Sequence, residues 1–577
     1  MMTREGKNID RDAPRAEYPR PQFKRNSYFS LNGEWDFRAD KSERIPENYP
    51  EKILVPFSVE TPLSGIMRTV VADDVLHYRK VFRIPANLLG KRLLFHFEAV
   101  DQVADVYLNG VFLLHHEGGY MPFEAEAVCQ TETNELAVSV KDDTSSISYP
   151  RGKQSNDPKG IWYTPTSGIW GNVWFEVLPD QAIVSLQITP LFDEKQVRIA
   201  LAFEGNPSGG EIKISYKGNQ IALGKTDSKG ELLVPLASDF HPWSPECPDL
   251  YDVEIKMGQD RVSSYFGMRK FGKAVRNGKV YFALNNKPYL MKGVLDQGYY
   301  PDGGLTAPSD QAMIDDIALM KKMGFNMLRK HIKIEPMRWY YHCDRLGMLV
   351  IQDFVNNGAP YKPWLIATAP FLRYSFKDTK PKDHERFGQG SPFSRARFEG
   401  QIPQLTQLLY NVPSLCAYVL FNEGWGQFDS ARLTARLKEQ DPTRLIDSDC
   451  GWFDQKAGDF VGNHIYFLPI HMKQDGERIL SLSEFGGYSQ RVPGHCFSDK
   501  NFGYRIYKSK KSLEKGIASL FKRQLKKQIQ KKGISCYVFT QLSDVEQETN
   551  GLITYDREVV KISPDLMREL NKEMKWD

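Results

Sequence analysis

Two short apolar runs, Asn326-Met-Leu-Arg-Lys330 and Met348-Leu-Val-Ile-Gln-Asp353, flank residues 335–346, whose apolar spacing predicts a helix. A buried strand, a helix and a second buried strand, in that order, are typical of a β/α unit. The alternation continues from about residue 274 to the end of the chain and contains eight predicted strands. We therefore predict a (β/α)8 barrel over residues 274–577.

Helix signals recur along this region. Ser309 is a residue type that caps helices, and apolar residues follow it at helical spacing as far as Met323. Residues 510–532 are basic with one apolar stripe, which predicts an outer amphipathic helix; a polyanion site is the minor alternative. Further predicted helices are 394–410 and 430–440, and the predicted strands are 289–294, 326–330, 348–353, 417–421, 444–447, 460–464, 479–483 and 534–539.

The first half of the chain has a different spacing of apolar residues. Short segments with alternating apolar residues follow one another closely from residue 30 to about 180, with turn signals such as Asn109-Gly110. This pattern predicts a β-sandwich, and residues 181–273 repeat it on a smaller scale, which fits an immunoglobulin-like sandwich. The predicted domains are therefore 1–180, 181–273 and 274–577.

Composition limits the classes of partner. The 76 basic and 72 acidic residues nearly balance, and no basic tract is large enough to indicate nucleic-acid binding. Seven scattered cysteines without a CxxC pair predict reduced thiols rather than disulfides or a zinc site. No apolar stretch is long enough for a signal sequence or a membrane span, so we expect a cytoplasmic protein without a membrane partner.

Two glutamates follow buried-strand patterns in the barrel region. Glu423 ends Cys416-Ala-Tyr-Val-Leu-Phe-Asn-Glu423, and Glu484 ends Ile479-Leu-Ser-Leu-Ser-Glu484. Active sites of such barrels lie at the carboxyl ends of the strands, so both carboxyl groups are expected in one pocket, at strands four and seven. A neutral carboxylic acid beside an ionised carboxylate is the arrangement that glycoside hydrolysis needs.

Several motifs resemble glycoside hydrolase family 2, which contains β-galactosidases, β-glucuronidases and β-mannosidases. Leu31-Asn-Gly-Glu-Trp-Asp-Phe37 and Ser167-Gly-Ile-Trp170 resemble its jelly-roll sugar-binding domain. Asn326-Met-Leu-Arg-Lys-His331, Phe421-Asn-Glu-Gly-Trp425 and Ser483-Glu-Phe-Gly486 resemble its barrel motifs. The resemblance covers nearly the whole chain and implies an N-terminal jelly roll before the immunoglobulin-like sandwich and the barrel.

The resemblance also implies residue roles. Glu423 corresponds to the general acid/base and Glu484 to the nucleophile, while Asn422 corresponds to the residue that binds the sugar 2-hydroxyl. Tyr466 resembles the family tyrosine that donates to the nucleophile. If the carboxyl groups lie about 5 Å apart, the reaction retains configuration. No cofactor is expected, and no metal ligand can be named.

Other strand-end residues keep two interpretations. Arg329 either supports the nucleophile or forms a structural ion pair. His331 and His464 are candidate sugar contacts, with buried structural histidines as the alternative. Asp353 is equally suited to binding a substrate hydroxyl and to capping a loop.

Aromatic residues near strand ends offer a stacking floor for a sugar ring or simple packing. Trp425 and Phe539 are the main candidates, and most such residues are expected to pack. Phe539 stands where many family members have a tryptophan.

Several sugars stay possible as the part of the substrate that the site binds. Asn550-Gly-Leu552 lacks the lysine of the Asn-x-Lys motif that family glucuronidases use, which disfavours a glucuronide. β-Galactoside is the first expectation; α-L-arabinopyranoside and β-mannoside are alternatives, and residues 354–392 are expected to wall the pocket. Transglycosylation, an inert carbohydrate-binding protein and homo-oligomerisation also stay open.

Overall fold

Two β-sandwiches precede a parallel eight-stranded barrel in the structure, a computed structural model. It describes residues 1–205, 209–360, 362, 364–365, 368–369 and 376–576. The fold agrees with the predicted class of a jelly-roll-like sandwich, an immunoglobulin-like sandwich and a TIM-like barrel.

The first sandwich has a four-stranded and a six-stranded antiparallel sheet. Inward-facing aromatic and branched residues of the two sheets, among them Trp35, Phe37 and Phe95, form its core. The smaller sheet contains Tyr28–Ser30, Val173–Leu178, Arg92–Phe97 and Phe123–Val128, and the larger contains Glu51–Val55, Gly33–Asp40, Val75–Arg83, Thr133–Lys141, Val103–Leu108 and Val111–Glu117.

The second sandwich packs a three-stranded sheet on a four-stranded sheet. Alternate residues face the shared core, as the burial of Tyr251, Val253, Ile255 and Met257 illustrates. The first sheet contains Ile183–Leu191, Gln196–Phe203 and Glu231–Pro235, and the second contains Asn219–Lys225, Glu211–Tyr216, Tyr251–Met257 and Asp260–Phe266.

The barrel strands are parallel and hydrogen-bonded in the order 5-4-3-2-1-8-7-6. Strand one begins two residues later than predicted, because the Tyr289 amide bonds to the Phe282 carbonyl of a preceding hairpin at 2.9 Å. Strand seven continues past Glu484. In chain order the strands are Met291–Asp296, Met327–Lys330, Leu349–Asp353, Leu415–Asn422, Leu445–Cys450, Phe460–Ile465, Ile479–Gly486 and Cys536–Thr540.

Helices cover the outside of the barrel. The Ser309 hydroxyl accepts from the Ala312 amide at 3.1 Å and caps the first of them, as predicted. Residues 451–459 and 466–478, which link strands five to six and six to seven, contain no helix. The helices of the described chain are Arg4–Lys7, Asp310–Lys322, Met337–Leu346, Pro381–Arg386, Pro392–Leu409, Ser430–Gln440, Lys510–Leu520, Lys526–Lys532, which a π-helical turn joins to the preceding helix, and Pro564–Glu573.

A short antiparallel hairpin closes the lower end of the barrel. Its strands Phe271–Arg276 and Lys279–Leu284 place Phe282 in the same apolar cluster as the inward-facing Met327 and Val538. Filling this end with side chains leaves the carboxyl ends of the strands as the accessible face.

Side-chain alternation then decides which strand residues face inward. In strand two, Met327 and Arg329 face the barrel interior, whereas Leu328 packs in the outer cluster and Lys330 pairs with Asp296 and lies over Trp339. A single arginine is thereby delivered to the upper part of the interior.

One loop of the first sandwich docks on the barrel mouth. The Gly152 amide donates to the Asn356 carbonyl at 3.1 Å, and a Cβ at Gly152 would lie 2.8 Å from the Ile332 carbonyl oxygen. The glycine, at φ +60°, permits this close approach. The first sandwich therefore contributes residues to the face where the strands end.

Among the described residues, none of the helices combines the length and apolarity that crossing a bilayer requires.

We predict that Phe282→Ala lowers the free energy of unfolding by about 3–5 kcal/mol, because it leaves a cavity between the hairpin and the barrel core. Urea unfolding followed by tryptophan fluorescence measures the shift. Val275→Ala is the matched control, since Val275 lies on the same hairpin and is 74% exposed. Equal midpoints for the two variants would contradict the hairpin's role.

Candidate active site

Glu423 and Glu484 meet at the upper end of the barrel. Glu423 follows strand four with φ +55°, and its amide donates to the Cys450 carbonyl at 2.9 Å. Glu484 lies within strand seven. Three atoms lie within 4.8 Å of one another: one carboxylate oxygen of Glu423, one of Glu484 and a ring nitrogen of His464. The two strands predicted to deliver carboxyl groups therefore deliver them to one point.

Glu484 is held by donors on both oxygens. Arg329 Nη1 donates to Oε1 at 3.0 Å, and the Tyr466 hydroxyl donates to Oε2. The Glu484 side chain is only 6% exposed. Two donors on a buried carboxylate favour its ionised form.

Burial and the neighbouring donors have opposite effects on the pKa of Glu484. Burial works to raise it, but His464 and Arg329, together with the hydrogen bond from Tyr466, lower the pKa to about 2. An ionised carboxylate at neutral pH is the state that a nucleophile requires.

Arg329 connects three barrel strands. Its Nε and Nη2 donate to the two oxygens of Asp353 at 3.0 Å each, and Nη2 also donates to Asn422 Oδ1 at 2.8 Å. Because a guanidinium only donates, the amide oxygen of Asn422 must face it, which leaves the Asn422 NH2 group for another acceptor. Burial works to raise the pKa of Asp353, but the charges and hydrogen bonds of Arg329 and His331 together lower it below its usual range.

His331 and Asp353 form a buried pair beside Arg329. His331 Nδ1 lies 2.8 Å from Asp353 Oδ2, and burial lowers the pKa of His331. Both oxygens of Asp353 are therefore engaged by protein groups. This geometry favours a positioning role for Asp353 over a direct substrate contact.

His464 lies between the two glutamates. Its Nδ1 is 2.8 Å from Glu423 Oε1, and its Nε2 is 3.5 Å from Glu484 Oε1. Its side chain is fully buried, whereas that of Glu423 is 13% exposed. His464 thus lies beneath the carboxyl groups and orients them.

Tyr466 is fixed on two sides. Besides Glu484, its hydroxyl contacts Thr540 Oγ1 at 3.0 Å, and its ring stacks on Tyr504 with centroids 3.8 Å apart. Tyr504 follows strand seven on a loop, and sequence reasoning did not identify it. Stacking restricts the Tyr466 ring and so keeps its hydroxyl on the carboxylate.

The first sandwich adds an aromatic wall. Trp162 meets Trp425 edge to face with ring centroids 5.0 Å apart, and Arg151 lies 5.4 Å from both rings. Trp425 Nε1 also donates to the Ala359 carbonyl at 3.1 Å. Trp425 is buried by these contacts, close to Glu423 in sequence.

Phe539 is not brought to the pocket. It packs against Phe485 and Phe521 with centroids 5.6 and 5.9 Å apart, on the helix side of strand eight. Its neighbours Val538 and Thr540 face the interior instead. The alternation of the strand was the available signal for this orientation.

The expected pocket wall, residues 354–392, is described in part. Residues 361, 363, 366–367 and 370–375 lie outside the described residues. Leu365, Ala369 and Phe387 pack in a small apolar cluster with Phe453, which follows strand five. The described part of the segment is therefore anchored above strand five.

Two carboxylates and an imidazole are also a donor set for a divalent cation. Glu423, His464 and Glu484 meet the distance requirement for one. However, the Arg329 guanidinium already occupies one oxygen of Glu484 at 3.0 Å, and its fixed positive charge disfavours a cation there. The donor set fits acid/base and nucleophilic chemistry better than metal binding.

Further residues near the pocket come from segments that carried no motif. Lys153 and Trp162 belong to the docked loop of the first sandwich, and Glu548 belongs to the segment after strand eight. The Tyr163 hydroxyl donates to Glu548 at 2.9 Å and joins these two segments. A contact between two domains leaves no periodic signal in a sequence, so no pattern predicted it.

Two family models match the chain. One, described as the TIM barrel domain of glycosyl hydrolases family 2, matches residues 274–478, and the other, described as glycosyl hydrolases family 2, matches residues 180–269.

Curated relatives include β-galactosidases and a β-glucuronidase at low identity. A β-galactosidase of Thermoanaerobacter pseudethanolicus is 28% identical over 296 residues, 48% of this chain and 39% of its own length. A β-glucuronidase of Streptococcus agalactiae is 24% identical over 435 residues, 70% of this chain and 68% of its own length. The chain spans less than half the length of the β-galactosidases first matched.

Among solved structures, a GH2 β-galacturonidase of Eisenbergiella tayi has a TM-score of 0.72 at 16% identity. The similarity covers 97% of this chain and 99% of that one. At this identity the likeness concerns the fold.

We predict that Asp353→Asn lowers the free energy of unfolding by about 3–5 kcal/mol, because it leaves Arg329 as a partly uncompensated buried charge. Chemical denaturation measures the change. Asp157→Asn is the control. The Asp157 side chain is 75% exposed, and its ion pair with Lys159 contributes about 0–1 kcal/mol to stability. A loss at Asp353 as small as at Asp157 would contradict the arrangement.

Proposed function

The chain belongs to glycoside hydrolase family 2, and we propose that it is a retaining exo-glycosidase that removes terminal non-reducing sugars. The observation that carries this proposal is the spacing of Glu423 and Glu484, with carboxylate oxygens within 4.8 Å. Retaining enzymes need carboxyl groups about 5–5.5 Å apart, whereas inverting enzymes leave room for a water between them.

In the first step, a Glu484 oxygen forms a bond to the anomeric carbon while the bond to the leaving oxygen breaks. Glu423 gives its proton to that oxygen, so the leaving group departs as a neutral alcohol. The product is a covalent glycosyl-enzyme at Glu484.

In the second step, a water attacks the same anomeric carbon and gives a proton to Glu423. The bond to Glu484 breaks, and its carboxylate returns to Arg329 and Tyr466. Two inversions at one carbon give net retention of configuration. A sugar hydroxyl in place of water gives transglycosylation by the same route.

The surrounding residues have separate tasks in this proposal. Arg329 keeps Glu484 ionised and turns Asn422 so that its NH2 group can donate to a sugar hydroxyl near C2. His464 aligns both carboxyl groups, and Trp425 contributes to the wall beside Glu423. His331 and Asp353 hold Arg329 in place.

For the sugar, we propose a β-galactoside as the first substrate to test. α-L-Arabinopyranoside shares the ring stereochemistry, and β-mannoside is a further alternative. A β-glucuronide is supported by one curated relative and disfavoured by the absence of lysine in Asn550-Gly-Leu552. A folded protein that binds sugar without turnover is the alternative from another class.

We predict that wild-type protein hydrolyses at least one member of a nitrophenyl glycoside panel, and that Glu484→Ala abolishes turnover. Glu423→Ala should hydrolyse an activated nitrophenyl substrate that needs little acid assistance, and added azide should speed the release of the glycosyl-enzyme, since a small anion fits where the carboxylate is missing. Absorbance and product NMR measure both effects. We expect a glycosyl azide with the same anomeric configuration as the substrate, and an azide of inverted configuration would contradict retention.

We also predict that Tyr466→Phe moves the acid limb of kcat/KM to higher pH. Glu484 acts when ionised, so activity falls as pH drops through its pKa, which the wild type holds at about 2. Losing the Tyr466 donor raises that pKa and brings the loss of activity to a higher pH. Tyr107→Phe, in the first sandwich, is the control, and superimposable profiles for the two variants would contradict the assigned role.

A further inference from the structure

Lys153 is a buried lysine without an internal counter-ion. It is 7% exposed, and its ammonium makes no hydrogen bond or ion pair with any residue of the described chain. The ammonium lies 5.6 Å from the centroid of the Trp162 ring. Lysines are almost never buried unless they are paired, because an isolated ammonium loses its hydration. This lysine is therefore suited to an anion that the protein does not supply.

The ammonium lies near the candidate active site, over the Trp162 ring, which meets Trp425 with ring centroids 5.0 Å apart. Its positive charge helps to lower the pKa of His331, at the end of barrel strand two, and opposes the burial that raises the pKa of Glu548 to about 7. His331 and Glu548 also both interact with Glu484. The backbone around Lys153 lies between the end of strand two, which Gly152 touches, and the segment after strand eight, which Tyr163 contacts through Glu548.

Hydrogen bonds within the first sandwich, and the contact of Gly152 with the barrel, fix the backbone at Lys153. The Tyr163 amide donates to the Lys153 carbonyl at 2.9 Å, and Gln154 Nε2 donates to Asp101 at 2.8 Å and to Tyr120 at 2.9 Å. Gly152 lies against the end of strand two. A fixed backbone keeps the Lys153 side chain within reach of the barrel mouth.

Glu548 is a poor permanent partner for Lys153. No Glu548 oxygen lies within 4.0 Å of the ammonium. Glu548 Oε2 instead accepts from Tyr163 at 2.9 Å and from Gln541 at 2.7 Å. With its pKa near 7, it is partly protonated at neutral pH and supplies less than a full negative charge.

Resting on the proposed glycosidase function, we propose that Lys153 binds an acidic group on the sugar that occupies the pocket. The glycone is then an acidic sugar, and for a galacto-configured ring it is a β-galacturonide rather than a β-galactoside. Family glucuronidases place their lysine after strand eight, and this chain lacks that lysine. Here the cation that selects the sugar would come from the first sandwich. The substrate's acidic group supplies the missing counter-charge.

The test compares kcat/KM for nitrophenyl β-galacturonide, β-glucuronide, 6-sulfo-β-galactoside and β-galactoside. Wild type should favour an acidic glycoside over β-galactoside by about 100-fold, the scale of a charge-assisted hydrogen bond. Lys153→Met should remove this preference, mainly through KM, and leave the neutral substrate within a few-fold. The uronide and sulfate arms distinguish a carboxylate from a sulfate ester.

Two further variants control for charge and folding. Lys159→Met removes a lysine of the same loop that is 72% exposed and should leave every rate unchanged. Lys153→Arg keeps the charge and should keep most of the preference for acidic glycosides. Thermal unfolding of each variant checks the fold. Equal effects of Lys153→Met on acidic and neutral substrates, or a wild-type preference for β-galactoside, would overturn the inference.

A binding measurement separates this inference from the proposed function. Calorimetry with D-galacturonate and D-galactose on Glu484→Ala needs no turnover. Tighter binding of galacturonate that Lys153→Met abolishes would support the lysine's role even if no glycoside is hydrolysed. Equal binding of the two sugars would overturn it even if the enzyme hydrolyses β-galactosides.

Discussion

The buried guanidinium of Arg329 is the interaction on which the site depends. It donates to Asp353 on strand three, Asn422 on strand four and Glu484 on strand seven, all within 3.0 Å. One side chain therefore helps to keep Glu484, the proposed nucleophile, ionised and fixes the orientation of the Asn422 amide. Because the guanidinium is 1% exposed, its partners have to be present for the barrel mouth to be stable, so folding and chemistry share the same contacts.

The pocket is not a property of the barrel alone. The loop containing Arg151, Lys153 and Trp162 belongs to the first sandwich, yet it lies on the strand ends and joins them through Asn356 and Glu548. The barrel supplies Glu423 and Glu484, and the sandwich supplies an aromatic wall and a cation. In the proposed account, the bond-breaking chemistry therefore depends on the barrel, whereas the choice of sugar depends on the first sandwich.

The sequence pattern predicted those parts of the structure that depend on residues close together in the chain. Short apolar runs that alternate with helix signals located the barrel strands, and the strand-end rule placed Glu423 and Glu484 together. Phe539 was expected among the candidate sugar contacts, but alternation along strand eight turns it toward the outer helices. Lys153 was not found, because its burial arises from contacts between residues far apart in the chain. The role of Asp353 depends on Arg329 engaging both its oxygens, which only the folded chain reveals.

The central claim is a covalent intermediate on Glu484. Mixing the protein with dinitrophenyl 2-deoxy-2-fluoro glycosides of galactose and of galacturonic acid, followed by intact-protein and peptide mass spectrometry, tests it most directly. The fluorine slows the second step, so the account predicts a single adduct on the peptide that contains Glu484. Steady turnover with no adduct and with inverted product, or an adduct on a residue other than Glu484, would contradict it.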